Sequence, residues 1–118
     1  MRAMTARAAA APDGPEAETL RAAWRILGRY AGDLAIAYLA GGGVVIAGGV
    51  PPKIARFLDP AAFRAAFEAK APVAAAARAA PTSLLLREDA VLLGMAALAA
   101  RPQDYALDYA LRLWRQAA

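Results

Sequence analysis

The stretch Val44-Val45-Ile46-Ala47-Gly48-Gly49-Val50-Pro51-Pro52 narrows the folds open to this chain more than any other. An unbroken run of β-branched apolar residues is the pattern of a strand covered on both faces, which in soluble proteins means a parallel strand with helices above and below. Two glycines end the run and two prolines then open a helical pattern. Proline is tolerated in a first helical turn because its missing N–H would have had no partner there. Gly48 and Gly49 permit positive φ and present no Cβ to a molecule approaching the backbone. At the carboxyl end of a parallel strand, such a turn is where nucleotides tend to bind. The same residues also make a tight strand-to-helix turn that binds nothing, and spacing alone does not separate the two readings.

Composition removes several chemistries. A chain of 118 residues has room for one domain or part of one. It has no cysteine, hence no disulfide frame and no thiolate site. It has no histidine either, which removes a histidine general base, a Ser-His pair and the commonest metal ligand. The net charge of +4 and an isoelectric point near 10 raise the question of nucleic acid. However, the arginines are scattered from Arg2 to Arg115 without a dense basic run or interleaved aromatics, the pattern of a solvated surface. No nucleic-acid partner is expected. The excess of alanine is read as a compositional bias.

Residues 34–52 carry no charge, which is close to the shortest length that spans a bilayer. Gly41-Gly42-Gly43, Gly48-Gly49 and Pro51-Pro52 argue against a continuous helix there, so no membrane span is expected. The start, Met1-Arg2-Ala3-Met4-Thr5-Ala6-Arg7, lacks the apolar region of a secretory signal. Residence in the cytoplasm is the expectation.

Three segments organise the chain: a flexible stretch over 1–12, a folded body over 13–100 and a helical extension over 101–118. Asp13-Gly14-Pro15-Glu16 reads as a helix start with Asp13 as cap. The helical pattern then runs to about Leu39, with Leu20, Trp24, Leu27, Ala31, Leu34 and Tyr38 as its apolar stripe and Gly28 and Gly32 flanking it. Glycine within a helix costs about 1 kcal/mol relative to alanine, and close approach of a neighbouring element is the compensation to expect. A short helix is predicted over 53–58. Asp59-Pro60 restarts the helix, Asp as cap and Pro at the first helical position, with Phe63 and Phe67 toward the core. Residues 73–80 read as another short helix. Ser83-Leu84-Leu85-Leu86 reads as a second buried strand, and Asp89 as the cap of a helix over 90–100. That helix is apolar almost all round and is therefore expected to be buried. A last helix is predicted over 103–116.

The order is helix, strand, helices, strand, helix, plus a terminal helix. Two strands joined through helices imply a parallel βαβ crossover. Two short strands make a poor sheet alone, so the chain reads as part of an α/β domain.

Four segments carry a more specific signal. Gly28-Arg29-Tyr30-Ala31-Gly32-Asp33-Leu34-Ala35, Gly42-Gly43-Val44-Val45-Ile46-Ala47-Gly48-Gly49-Val50, Phe63-Arg64-Ala65-Ala66-Phe67-Glu68-Ala69-Lys70 and Leu92-Leu93-Gly94 occur in one order without large gaps. Together they resemble the closing region of the bacterial glucokinases, over residues 5–100. The resemblance implies a partial ribonuclease-H-like lobe of the actin-like ATPase fold. It also implies, for the complete family member, transfer of the γ-phosphoryl of ATP to the 6-hydroxyl of glucose with magnesium. Gly48, Gly49, Val50 and Pro51 are the residues it places against the nucleotide, with the turn at Glu88 and Asp89 nearby; that turn lacks the Pro-Gly common in the family.

The family's phosphate loop, its aspartate base and its Glu/His sugar motif all precede the matched region. No catalytic residue and no magnesium ligand is therefore expected here, and glucose would be reached only through a missing amino-terminal part. The expectation is the adenosine-binding portion of a glucokinase, inactive alone. A non-catalytic interaction or oligomerisation protein that kept the fold is the alternative. An apolar strand edge left without its neighbour predicts a homo-oligomer or a complex with the missing segment.

Overall fold

The computed structural model describes residues 2–87 and 89–105 and divides into two compact units, residues 1–86 and 87–118. The first unit is mixed α/β, mostly helical, with a short parallel sheet.

The segment expected to be flexible forms helix α1, Arg2–Ala10, with Ala8 fully buried and Met4 packed on the core. Helix α2, Pro15–Ala37, begins one residue later than the capping pattern suggested. Gly14, not Asp13, is its N-cap, and no side chain caps it. The N–H of Gly14 donates to the carbonyl of Ala11 at 2.9 Å, so a turn at 11–14 delivers the chain to Pro15. Glu16 and Glu18 in the first turn complement the helix dipole. At its far end Ala40 N–H donates to Ala35 C=O at 2.8 Å and Leu39 adopts φ 49°. This is a Schellman-type stop with leucine where glycine is usual.

The buried face of α2 is Ala17, Leu20, Trp24, Gly28, Ala31, Gly32 and Ala35. The anticipated stripe is therefore correct at Leu20, Trp24 and Ala31 and wrong toward the carboxyl end, where Tyr38 lies beyond the helix and is 79% exposed. Both helix glycines sit within the contact, not beside it. Helix α4, Pro60–Glu68, crosses there. A Cβ on Gly28 would lie 2.7 Å from the carbonyl oxygen of Phe63, and one on Gly32 would collide with the carbonyl of Phe67. The two backbones meet because neither position carries a side chain. Phe63 stacks edge-on against Trp24 (centroids 6.2 Å apart) and lies beside Phe67 (6.4 Å), so the predicted phenylalanine pair is core. Asp59 caps α4 as anticipated, accepting from Ala61 N–H at 2.9 Å and Ala62 N–H at 3.1 Å.

Strands β1, Val44–Ile46, and β2, Thr82–Leu84, pair in parallel with Val44 opposite Thr82 and Ile46 opposite Leu84. Between them lie α3, Pro51–Ile54, a 3-10 turn at Ala55–Phe57, α4 and α5, Ala74–Ala79. Gly43, at φ 99°, brings β1 against Pro81, whose carbonyl would be 2.6 Å from an added Cβ. Full burial of both strands does not hold. Val44, Ile46 and Leu84 pack on the core, but Val45 is 65% exposed, because only one face of this two-stranded sheet is covered by helices. β2 also ends earlier than the apolar run suggested, and Leu86 is 61% exposed.

The second unit contains α6, Ala90–Ala100, and a 3-10 turn at Pro102–Asp104. Asp89 precedes α6 without capping it; its carboxylate is held by Arg87, whose Nε and Nη2 each donate at 2.8 Å. The expected burial of α6 is not found: none of its residues is buried, and Leu92 is 70% exposed. Most of the helix expected over 103–116 lies outside the described residues. No described helix is long and apolar enough to cross a membrane; α2 stops at Ala37, ahead of the glycine run.

Candidate nucleotide-binding turn

Because β1 and β2 run in parallel, their carboxyl ends lie on the same side of the sheet. From Ile46 the chain passes Ala47 and turns at Gly48, with φ 125°, a conformation that nearly requires glycine. Gly48, Gly49 and Val50 are exposed, and Pro51 begins α3. The four predicted contact residues therefore form one continuous strand-to-helix turn.

Gly49 shares with Gly42 a position where local packing does not require glycine. Its φ is not positive, and an added Cβ would meet nothing within 4 Å. Gly28, Gly32 and Gly43 lack side chains because backbone presses on them; Gly48 lacks one because of its φ. Neither reason applies to Gly49, so its bare backbone serves no packing within this unit. The turn can offer backbone N–H and C=O groups and a shallow apolar wall. It carries no acid, base or nucleophile, so it can hold a ligand but not move a proton.

The turn is fixed from beneath. The indole Nε1 of buried Trp24 donates to the carbonyl of Ile54 at 3.0 Å and pins the end of α3 to α2. Ile54 and Phe57 are buried below it. Nothing local in the sequence linked Trp24 to this turn, since thirty residues separate the two partners. Lys53 on α3 and Arg56 on the following 3-10 turn, which lies over the Phe57 ring at 5.1 Å, are exposed cations.

An apolar cavity of about 140 Å³ opens between the strand ends and α4, walled by Trp24, Ile46, Leu58, Phe63 and Leu84 with Arg64 at its margin. Gly48 and Gly49 are not in its wall. Arg64 is committed to structure. Its guanidinium binds Glu68 at 2.7 Å and Ala80 C=O at 3.0 Å and lies over the Phe67 ring, tying α4 to the approach to β2. Among the described residues, no cluster of three or more acidic residues could hold a metal ion. Glu88 lies outside the described residues, and Asp89 belongs to the second unit.

Two of the segments singled out in the sequence are thus halves of one contact. Gly28 and Gly32 receive the carbonyls of Phe63 and Phe67, and Lys70 closes on Asp33 at 2.7 Å. Comparison with known proteins identifies the family. The glucokinase family profile matches residues 1–102. The chain is 41% identical over 114 residues to a glucokinase of Rhizobium meliloti (strain 1021), covering 97% of this chain and 34% of that protein. It is 46% identical over 98 residues to a glucokinase of Agrobacterium fabrum, covering 83% of this chain and 29% of the relative. It is 42% identical over 99 residues to a glucokinase of Brucella suis biovar 1, covering 84% and 29%. No solved structure gives a significant match. The mixed α/β fold, mostly helical with a short parallel sheet, is compatible with a fragment of a sugar kinase. More narrowly, the chain belongs to the glucokinase family, and it spans about a third of the length of the curated relatives it matches.

Proposed function

We propose that this chain is the carboxyl-terminal, adenosine-side portion of an ATP-dependent glucokinase, part of a ribonuclease-H-like lobe of the actin-like fold. Gly48, Gly49, Val50 and Pro51 face the adenosine of ATP. The observation that carries this reading is Gly49: a residue at the carboxyl end of a parallel strand whose missing side chain leaves open space and no strained φ. In a complete glucokinase the reaction is phosphoryl transfer from magnesium-bound ATP to the glucose 6-hydroxyl. Such transfer is accelerated by positioning and charge stabilisation. This chain's share is positioning. The turn orients the nucleotide, while the groups that bind sugar, accept the hydroxyl proton and hold magnesium belong to the remainder of the enzyme. Alone, the chain does not phosphorylate glucose.

Two assays test the reading. In a coupled assay with ATP, magnesium and glucose, the 118-residue chain should show no turnover; rates of roughly 1–100 per second would refute its inactivity alone. In a full-length relative, valine at the position aligned with Gly49 should raise the ATP Michaelis constant at least tenfold with little change in that for glucose. Unchanged ATP kinetics would remove the turn from the nucleotide site and favour a non-catalytic interaction role.

A further inference from the structure

The cavity between the strand ends and α4 is separate from the nucleotide turn, but one residue serves both. Trp24 and Phe63, both buried and set edge to face at 6.2 Å, give the cavity two aromatic rings, and Ile46, Leu58, Pro60 and Leu84 supply the rest of its apolar lining. The polar groups at its margin are already engaged. Arg64 binds Glu68 at 2.7 Å and Ala80 C=O at 3.0 Å, and Thr82 Oγ1 accepts from Arg64 Nη1 at 3.5 Å. Among the described residues, no buried side-chain nitrogen or oxygen lacks a hydrogen-bond partner.

Volume and wall chemistry together select the occupant. A water molecule held in a cavity needs two to four polar partners, and the buried side chains here have none to spare. A polar ligand would give up hydration without replacement. A cavity of about 150 Å³ lined by large apolar side chains takes one benzene molecule. This one measures about 140 Å³. Its two rings favour an aromatic guest over an aliphatic chain, because ring edges and faces attract one another.

We propose that this cavity is a binding site for one small apolar aromatic ring, of benzene to toluene size, and that its occupation steadies the nucleotide turn through Trp24. The indole that walls the cavity donates its N–H to the carbonyl of Ile54 at 3.0 Å, and Ile54 closes the short helix α3 that Pro51 opens. A ring packed against the indole takes up the space in which Trp24 tilts, and so holds that bond. A ligand that binds only the folded chain also stabilises it by mass action. The site stands on the cavity alone, while its effect on a nucleotide rests on the reading of the turn given above.

Benzene titrated into the 118-residue chain, followed by two-dimensional NMR, is the test. The Trp24 indole N–H signal and the amides of Phe63 and Leu84 should shift together and saturate. Benzene near saturation should raise the melting temperature by about 2 °C or more. Toluene should compete with it, and glycerol should leave these signals in place. Leu58→Phe, which puts a ring into the cavity, should abolish the benzene response. Shifts that grow linearly to the solubility limit, or that fall chiefly on α6, overturn the site, and so does an unchanged response in a folded Leu58→Phe variant. The link to the turn has its own readout. Lys53 N–H donates to Val50 C=O at 3.0 Å, and its exchange with solvent should slow about threefold or more when benzene is bound. Saturable binding with unaltered exchange at Lys53 overturns the link. Unaltered ATP kinetics in the Gly49 variant would instead refute the nucleotide turn and leave the cavity site standing.

Discussion

Lys70 Nζ lies 2.7 Å from the Asp33 carboxylate and 2.8 Å from the carbonyl oxygen of Arg29, so one side chain just past α4 clasps two levels of α2. Its stem passes directly over Gly32, where an added Cβ would stand 2.8 Å from Lys70 Cε. The ammonium is almost wholly enclosed while Asp33 is 60% exposed. The lysine thus contributes mainly by packing and by its bond to the α2 backbone, and the ion pair is largely screened by water.

Removing either partner should therefore be unequal in effect. Lys70→Met should destabilise the chain by about 1–3 kcal/mol, through loss of a charge-assisted hydrogen bond at a buried site. Asp33→Asn, which keeps an acceptor, should cost less than about 1 kcal/mol. Urea unfolding of both variants checks the order; equal losses would mean that the ion pair itself carries the stability.

Gly28→Ala and Gly32→Ala should each lower stability by about 1–3 kcal/mol, against the gain of about 1 kcal/mol that alanine normally brings to a helix. The obstacle in each case is backbone, so local side-chain repacking gives little relief. Thermal unfolding followed by circular dichroism measures this, and stabilisation of both variants would show that α2 and α4 separate easily.

Much of this contact could be read from the sequence, and the reason is local chemistry. Asp59-Pro60 specified its helix start because cap and first-turn proline act within three residues. Val44 to Ile46 specified a strand because three successive β-branched apolar residues leave few other choices. The close approach at Gly28 and Gly32 followed from their unfavourable presence in a long helix. What remained hidden depends on partners distant in sequence. The bond from Trp24 to Ile54, the rotation of the α2 face toward Gly28 and Gly32, and the exposure of Val45 and α6 are set by which surfaces meet. At Asp13 the capping pattern was present, but the turn at 11–14 placed Gly14 at the cap instead.

Leu39 offers a route to greater stability. A leucine at φ 49° is strained by its Cβ, and its side chain is 82% exposed. Leu39→Gly should stabilise the chain by about 0.5–1 kcal/mol at this helix stop, after allowance for the greater freedom of glycine in the unfolded state. A lower melting temperature would show that the leucine makes a contact worth more than the strain.

Acid should weaken the α2 surface in a defined direction. A hydrogen bond from Arg25 at 2.7 Å and its positive charge, with Arg21 adding to both, hold the Glu18 carboxyl below its ordinary value of 4.5. A depressed carboxyl contributes stability that is complete above its unfolded value and is lost as the pH falls through the folded one. The stability difference between the parent and Glu18→Gln should therefore be level at neutral pH and shrink on acidification below about 4.5, more weakly in high salt. A difference independent of pH would show that Glu18 acts without its charge.

The meeting of α2 and α4 through main-chain oxygens also determines how damage there can be repaired. A lesion caused by one side chain crowding another is ordinarily relieved by trimming the second. At Gly28 the nearest obstacle is the oxygen of Phe63, and at Gly32 that of Phe67, and every amino acid brings that oxygen with it. No substitution at Phe63 or Phe67 can open the space. Compensating changes for a lesion at either glycine must come from segments that let the whole of α4 shift, such as the turn after Asp59 or the clasp at Lys70. Second-site suppressors should therefore gather at the two ends of that helix and not along its buried side.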